Sequence, residues 1–389
     1  MTDAVIVSAA RTPIGRARKG SLVTVDAFQL AETALGAAVD RSGIPPDQFD
    51  DVVLGESLQG GGDIARHTAV VLGMTGVPGL ADNRHCASGL SAIQIAASSI
   101  MAGMDRVVAA GGTQSSSTMP QSAILDARGE WVQWMSPTHP ATPDAPPFDM
   151  SITVGENTAR EMGLTRHDVD EWAVYSQANA IDSIDNGKFE EEVVPVEYVD
   201  RDGNKQVFRV DEHPRRGTTL EVLSELKPLH PELPDATVTA GNAAGVNDAA
   251  AAVVLTSGDY AAANGLTPLA RIVSWANAGL EPARTGMGPT VAIPKALDRA
   301  GLTLADIDLV EVNEAFCSVP VAASRALGID PAIMNVNGSG CSLGHPIAAT
   351  GARMVITMLH ELRRRGGRIG LVSMCAGGGM GSALVFELL

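Results

Sequence analysis

The sequence predicts an α/β protein made of two related halves, with two central helices lying between two sheets. The first observation behind this prediction is a repeated stretch. Residues 40–56 read DRSGIPPDQFDDVVLGE, and residues 298–314 read DRAGLTLADIDLVEVNE, at one spacing of 258 residues from Asp40 to Asp298. Each copy has the pattern of a helix end, a glycine stop, a short turn and a buried strand. Duplication of an α/β unit explains the agreement better than chance does.

The second observation is a pair of similar helices, each followed by a strand and glycines. The stretch 87–103 has a helical pattern, with an apolar face made of Leu90, Ile93, Ala97, Ile100 and Met104. The stretch 345–367 is its counterpart, with Pro346 in the expected first turn. The first helix is small and apolar nearly all round, so we expect it to be covered on both faces.

The region between the halves differs in composition and predicts an insertion. Ser, Pro and Thr clusters fill 113–150, a helical pattern covers 151–190, and strand-like residues return at 250–257. We therefore divide the chain into a first half (1–118 plus 247–268), an inserted loop domain (119–246) and a second half (269–389). The insertion contains the basic stretch HPRRGTT (213–219), which is suited to a lid over an anionic ligand.

Composition and charge exclude several classes of protein. The formal net charge of −17 opposes binding to nucleic acid, because a polyanion would be repelled. No secretory signal and no membrane-spanning run is expected. The four cysteines are scattered without a CxxC pair, which argues against structural zinc and against a disulfide framework. We expect a cytoplasmic protein without a bound metal.

The candidate site begins with NRHCASGLSAI at 83–93. Carrying the repeat spacing forward from Cys86 leads to Gly344, beside His345. The repeat thus places both residues at the starts of the two central helices, where the helix dipole and the imidazole would lower the pKa of the thiol. The same dipole would keep His345 neutral, so that it can act as a base. The alternative is that Cys86 is a small core residue and His345 a turn residue.

Two further motifs converge on the same end of the predicted sheets. MCAGGG (374–379) places Cys375 and flexible glycines after the last buried strand, where backbone N–H groups can bind an oxyanion. VNEAF (312–316) places Asn313 and Glu314 where an apolar strand stops. Each motif alone is as consistent with a loop or a cap. Cys317 and Cys341 are interpreted as packing residues.

These four motifs resemble those of the thiolases, which are acetyl-CoA C-acyltransferases. NRHCASGLSAI resembles the nucleophile motif of the family, VNEAF its Asn-Glu-Ala-Phe motif, GHP its Gly-His-Pro motif and CAGGGMG its second-cysteine motif. The resemblance runs from residue 4 to the end of the chain. It implies a five-layered αβαβα sandwich of two duplicated halves with an inserted loop domain.

The resemblance also implies a role for each catalytic candidate. Cys86 would carry the acyl group as a thioester, and His345 would deprotonate Cys86. Cys375 would exchange the proton at the α-carbon of acetyl-CoA. One oxyanion hole would use His345 and a water held by Asn313, and the other would use the N–H groups of Cys86 and Gly377.

Four residues are implied at the substrate side. Arg215 matches the family position near the nucleotide end of CoA, with Arg216 as a weaker candidate. Ala244 replaces the serine that commonly contacts CoA, and Phe316 and Met150 would border the substrate. The chain also departs from the family at GSGCSLGHPIAATG (338–351) and at FDMSITVGEN (148–157), positions that would shape the acyl pocket.

The predicted function is CoA-dependent cleavage of 3-ketoacyl-CoA, or the reverse Claisen condensation. Two alternatives remain: a thiolase-like lipid or acyl-CoA binding protein with impaired catalysis, and another condensing enzyme of the same fold. Those condensing enzymes lack the second cysteine, so Cys375 argues against them. The expected partners are CoA and acyl-CoA as substrates, with neither nucleic acid nor membrane, and the expected assembly is a homodimer or homotetramer. No separate cofactor is expected.

Overall fold

The structure is a computed structural model that describes residues 2–389. The strands are β1 (Ala4–Arg11), β2 (Gly15–Arg16), β3 (Asp51–Gly55), β4 (Gly79–Asp82), β5 (Val107–Ser115), β6 (Ser122–Leu125), β7 (Trp131–Trp134), β8 (Val196–Val199), β9 (Lys205–Phe208), β10 (Asn247–Ser257), β11 (Ala270–Gly279), β12 (Leu309–Val312), β13 (Ile369–Ala376) and β14 (Met380–Leu388). The helices are α1 (Ala27–Ser42), α2 (Ile64–Val71), α3 (Ser88–Met101), α4 (Asn157–Met162), α5 (Arg166–Asp185), α6 (Leu220–Ser224), α7 (Gly258–Ala263), α8 (Gly288–Ala300), α9 (Ser318–Leu327), α10 (Gly340–Leu343) and α11 (Thr350–Arg365).

The two halves repeat one strand order. In the first half the order is β3–β5–β10–β1, and in the second it is β12–β13–β14–β11. The first pair of each set is parallel and the remaining pairs are antiparallel. The halves differ at one outer edge, where β4 adds to β3, and in the short strand β2, which pairs with the start of β10. The predicted duplication is therefore confirmed at the level of topology.

The repeated stretch has the predicted local structure in both copies. Helices α1 and α8 end at Gly43 and Gly301, whose φ angles of 67° and 66° are in the left-handed region that favours glycine. A 3₁₀ turn follows in each copy, at Pro46–Gln48 and at Leu304–Asp306. The buried strands β3 and β12 come next.

Helices α3 and α11 lie side by side between the two halves of the sheet. Each contacts strands of both halves, while α1 and α8 cover the outer faces. The two helices approach closely because glycine stands at the contact: a Cβ on Gly89 would lie 2.5 Å from the carbonyl oxygen of Ala348, and a Cβ on Gly351 would lie 2.4 Å from the nitrogen of Leu90. This arrangement is the expected five-layered sandwich.

Three details of the predicted core are wrong. The two sheets are joined, since β1 and β11 form an antiparallel contact at Val5–Arg271 and Ile6–Ala270. Met104 lies beyond the end of α3 and is 79% exposed, so it does not belong to the apolar face of that helix. Helix α11 begins at Thr350, because a turn separates it from Pro346.

The inserted segment carries its own elements and is anchored in the core by two buried ion pairs to one arginine. It contains the hairpins β6–β7 and β8–β9 and the helices α4, α5 and α6. Arg11, at the end of β1, donates from Nε to Glu192 at 2.6 Å and from Nη1 to Asp211 at 2.8 Å. Removing Arg11 would leave two buried carboxylates without their cation. The chain re-enters the first half of the sheet at Asn247, where β10 begins between β1 and β5. The division at 118/119, 246/247 and 268/269 stays a prediction.

Among residues 2–389, no helix has both the length and the apolar composition needed to cross a membrane.

Candidate active site

Cys86 lies in a strained turn immediately before α3. The turn spans His85–Ala87, and His85 adopts a φ of 47°, which is uncommon for a residue with a side chain. Hydrogen bonds fix the turn, because His85 N donates to Asn83 Oδ1 at 3.0 Å and Ser88 Oγ donates to the His85 carbonyl at 2.6 Å. Strain of this kind is retained where the surrounding structure over-determines a functional position.

The thiol of Cys86 has a raised pKa. Burial raises its pKa, and hydrogen bonds from the N–H groups of Gly377 and of Cys86 itself lower it by less. The direction of this shift is opposite to the lowered pKa expected from the sequence. A neutral thiol needs a base before it can act as a nucleophile. The Gly377 N–H group already faces the sulfur.

His345 has the properties of that base. Burial and then the positive charge of Arg353 lower its pKa to about 4, so the imidazole is neutral near pH 7. The predicted neutral state is confirmed, although its cause is burial. The Thr350 hydroxyl donates to the Pro346 carbonyl at 2.9 Å, so its oxygen accepts from His345 Nδ1 at 2.7 Å. Nε2 is left buried without a hydrogen-bond partner among the residues that the structure describes.

Cys375 lies at the end of β13 and is buried beside the first cysteine. Burial, and then the negative charge that Cys86 would carry, raise the pKa of Cys375 well above its ordinary value. Cys375 pairs with Gly381 of β14, and the intervening glycines Gly378 and Gly379 have φ angles of 87° and 79°. The tight turn brings the Gly377 N–H group to the Cys86 sulfur.

Asn313 follows β12, and its side-chain amide is fully buried. Neither Nδ2 nor Oδ1 has a hydrogen-bond partner within residues 2–389. A buried amide without partners is suited to holding a water molecule or a substrate oxygen. A Cβ on Gly340 would lie 2.6 Å from Oδ1, so glycine is needed there.

Glu314 fixes the loop that carries Asn313. Its buried carboxyl group accepts from Trp172 Nε1 at 2.9 Å, from Ser176 Oγ at 2.5 Å and from Asn335 Nδ2 at 2.7 Å. Burial raises the pKa of this carboxyl group, and the hydrogen bonds oppose that effect. Trp172 and Ser176 belong to α5, so the inserted segment holds the Asn313 loop in place.

One backbone segment, 242–247, joins the loops of Asn313 and His345. The Asn242 carbonyl accepts from Cys317 N at 2.9 Å, and Ala244 N donates to the Ala315 carbonyl at 3.0 Å. Val246 forms a parallel bridge with His345. The spacing of these motifs in the sequence does not predict that one segment contacts both the Asn313 loop and the His345 loop.

Models of a single protein family cover nearly the whole chain. The description "Thiolase, N-terminal domain" matches residues 4–259, and "Thiolase, C-terminal domain" matches residues 266–388. The chain belongs to the thiolase family. The resemblance inferred from the four motifs is thereby confirmed.

Similar proteins and solved structures cover this thiolase from end to end. It is 43% identical to an acetyl-CoA acetyltransferase of Cupriavidus necator and 40% identical to a 3-ketoacyl-CoA thiolase of Bacillus subtilis, with 100% of both chains covered in each case. The crystal structure of a Bacillus anthracis acetyl-CoA acetyltransferase matches with a TM-score of 0.93 at 39% identity, covering 100% of this chain and 99% of the other. Human mitochondrial 3-ketoacyl-CoA thiolase matches with a TM-score of 0.90 at 37% identity and the same coverage.

Three of the substrate-side candidates of this thiolase, Arg215, Ala244 and Phe316, lie in or beside the 240–247 segment. Phe316 and Met150 are half-buried and border one hydrophobic cluster. Phe316 also forms a bridge with Ala243, next to Ala244. Arg215 is exposed, and its Nη1 donates to the Ala240 carbonyl at 3.0 Å. Their roles stay predictions.

Arg216 differs from its neighbour. It is exposed and forms an ion pair with Asp185, in which Nη1 lies 2.8 Å from Oδ2. The guanidinium group of Arg215 has only a backbone carbonyl as its hydrogen-bond acceptor within the described part of the chain. Arg215 is therefore the more available cation for a ligand.

Three residues that contribute to the site were missed by sequence reasoning. Thr350 orients His345, Asn247 accepts from the His345 N–H group, and Trp172 holds Glu314. Thr350 could have been found from its position five residues after the histidine. Asn247 and Trp172 have no local signal, because their partners are far away in the sequence.

Proposed function

We propose that this thiolase cleaves 3-ketoacyl-CoA with CoA, or runs the reverse Claisen condensation, through an acyl-enzyme on Cys86. The observations that support the proposal are the packing of Cys375 against Cys86 and a buried, neutral His345 whose Nε2 atom has no hydrogen-bond partner among residues 2–389. Thioester exchange needs a sulfur nucleophile and a base, and carbon–carbon chemistry needs a second proton carrier. Full-length identity of about 40% to named acetyl-CoA acetyltransferases and to a 3-ketoacyl-CoA thiolase supports the same activity.

The steps follow from the chemistry of each group. His345 accepts the Cys86 proton at Nε2, and the thiolate attacks the C3 carbonyl carbon of the substrate. The C2–C3 bond then breaks, the acyl group stays on Cys86 as a thioester, and the carbanion at C2 takes a proton from Cys375 to give acetyl-CoA. In the second half-reaction the thiol of free CoA loses its proton to the Cys375 thiolate and attacks the thioester carbonyl. The shortened acyl-CoA leaves, and the Cys86 thiolate takes its proton back from His345.

Two groups of donors would stabilise the oxyanions in these steps. The N–H groups of Cys86 and Gly377 already face the nucleophilic sulfur, and they would bind the oxygen of the thioester intermediate. The buried Asn313 amide would hold a water that acts with His345 on the other oxyanion. Preorganised donors stabilise an oxyanion more strongly in a site without bulk water than the same donors do in solution.

The inserted domain, residues 119–246, is proposed to bind the CoA moiety. Arg215 would contact its phosphates, while Ala244, Phe316 and Met150 would line the path of the pantetheine and acyl groups. The exposed guanidinium group of Arg215 supports this assignment, because it has no carboxylate partner among residues 2–389. Ala244 has no side-chain donor, so this position would contribute packing only.

A homodimer or homotetramer in the cytoplasm is proposed for the working enzyme. The hairpin β6–β7 supports self-association, since Leu125, Trp131 and Trp134 are 55%, 72% and 42% exposed there. Exposed apolar patches of this kind mark protein interfaces. A reducing compartment suits this chain, whose four cysteines are all free.

The test combines mass spectrometry with a substrate panel. Incubation with acetyl-CoA should leave an acetyl group on the peptide that contains Cys86, and addition of CoA should remove it. Thiolysis of 3-ketoacyl-CoA substrates of increasing chain length then defines the acyl specificity. Absence of both the adduct and thiolysis, in protein that is folded and binds CoA, would show that this chain is a binding protein.

A further inference from the structure

His213 lies next to the candidate site although the proposed chemistry does not use it. It belongs to the segment between β9 and α6, two residues before Arg215, and it is 4% exposed. The imidazole packs directly against the 242–247 segment, because a Cβ on Gly245 would lie 2.0 Å from its Cε1 atom. We propose that His213 is a positioning residue that acts on His345 through Asn247. This inference rests on the proposed role of His345.

The contact between His213 and Asn247 fixes the side-chain amide of Asn247. Nδ2 of Asn247 donates to the Gly15 carbonyl at 2.9 Å and lies 3.3 Å from His213 Nδ1. An amide nitrogen carries two hydrogens, so both are used when His213 Nδ1 is the acceptor. The opposite amide orientation would place Oδ1 against the Gly15 carbonyl oxygen, which is repulsive.

The fixed amide presents its oxygen to the main chain of His345. Oδ1 of Asn247 accepts from the His345 N–H group at 3.0 Å. The neighbouring Gly344 has a φ of 103°, and a Cβ there would lie 2.5 Å from the Asn247 side chain. The peptide between Gly344 and His345 is thus held against Asn247, and its position sets where the His345 Nε2 atom points.

The charge state of His213 agrees with its role as an acceptor. Burial, and then the positive charges of Arg215 and Arg16, lower the pKa of His213 to about 4. The imidazole is therefore neutral near pH 7 and keeps a lone pair on Nδ1. With Nδ1 as the acceptor for Asn247, the ring hydrogen is on Nε2, and the backbone of Cys341 lies within hydrogen-bonding reach of the ring.

The experiment compares three substitutions of His213. His213→Asn places a polar atom near the position of Nδ1, and His213→Gln places one near the position of Nε2. His213→Ala removes both ring nitrogens. The rate at which acetyl-CoA acetylates Cys86 in a single turnover is measured with the KM for acetyl-CoA and the melting temperature. His213→Ala should lower the acylation rate roughly ten- to hundredfold, the typical cost of a small misplacement of a catalytic group. KM should stay nearly unchanged.

Rescue decides between a positioning role and simple packing. His213→Asn should restore most of the acylation rate, and His213→Gln should not, because only the former can accept from Asn247. The matched control is His167→Ala, since His167 is an exposed residue of α5 that pairs with Glu171. This control should behave as the wild type.

The inference is wrong if His213→Ala acylates Cys86 as fast as the wild type, or if Asn and Gln restore the rate equally. A raised KM with an unchanged rate would overturn it too, because His213 would then belong to CoA binding. If the alanine variant fails to fold, the contrast between the Asn and Gln variants still decides. If the wild type itself fails to acylate Cys86, the proposed function is wrong. That outcome differs from a loss of acylation confined to the His213 variants.

Discussion

His345 and Thr350 form a hydrogen bond of 2.7 Å between Nδ1 and Oγ1, and the Thr350 hydroxyl is already committed as a donor to the Pro346 carbonyl. With the Thr350 hydroxyl donating to the Pro346 carbonyl, Nδ1 carries the hydrogen, and Nε2 carries the lone pair that a general base needs. A threonine one turn away thus selects the tautomer of the histidine.

Replacing Thr350 by valine should impair the base without changing the shape of the side chain. Valine cannot accept from Nδ1, so the reactive tautomer loses its support, and we expect the acylation rate of Cys86 to fall by roughly tenfold or more. Thr350→Ser keeps the hydroxyl and should retain most of the rate. Equal rates in the valine and serine variants, measured by rapid-quench mass spectrometry, would contradict the proposed tautomer selection.

Cys86→Ala should abolish the acyl-enzyme and lower turnover by about 10⁴-fold or more, because no other group is placed to accept the acyl chain. The measurement is thiolysis of acetoacetyl-CoA together with mass spectrometry of the labelled peptide. Cys317→Ala is the matched control, since that cysteine is buried in a hydrophobic cluster. Turnover of Cys86→Ala within tenfold of the wild type would refute the nucleophile assignment.

Cys375→Ser should separate the two half-reactions. Acylation of Cys86 by acetyl-CoA needs His345 and an oxyanion hole, whereas proton exchange at the α-carbon needs Cys375. Labelled acetyl transfer onto the enzyme should survive in part, and condensation should be lost. If acetyl transfer and condensation fall together while the melting temperature is unchanged, the proposed division of roles is wrong.

Arg215→Ala should raise the KM for acetyl-CoA about three- to tenfold and leave kcat nearly unchanged, because a remote phosphate contact is equal in the ground state and the transition state. The effect should shrink at high salt, where exposed charges are screened. Arg216→Ala is the control, since Arg216 is paired with Asp185. Equal losses with acetyl-pantetheine, which lacks the nucleotide, would exclude the phosphate role.

The stability of the fold should depend on pH through His213. Its pKa is about 4 in the folded state, against an ordinary value of 6.5, so the unfolded chain binds more protons between these two values. This contribution is present above about pH 6.5 and is lost as the pH falls toward 4, at about 1 kcal/mol per pH unit. Urea unfolding at several pH values should therefore show a shallower pH dependence for His213→Asn than for the wild type. Identical slopes would show that His213 is not buried in its neutral form.

The sequence determined the local structure and the chemical groups of this protein. The repeat at 40–56 and 298–314 predicted a helix end, a left-handed glycine, a turn and a strand, and both copies have them. These features depend on residues that are neighbours along the chain, so periodicity and glycine placement are sufficient to predict them. The motifs around Cys86 and His345 likewise identified the family.

The tertiary structure decided the protonation states and the orientations of the catalytic groups. Cys86 was expected to have a lowered pKa from its position at a helix start, yet burial raises it, and burial depends on the packing of both halves. His345 receives its main-chain position from Asn247, which comes 98 residues earlier in the sequence. Burial and hydrogen bonds between distant segments arise only when the chain is packed, and for this reason no local pattern encodes them.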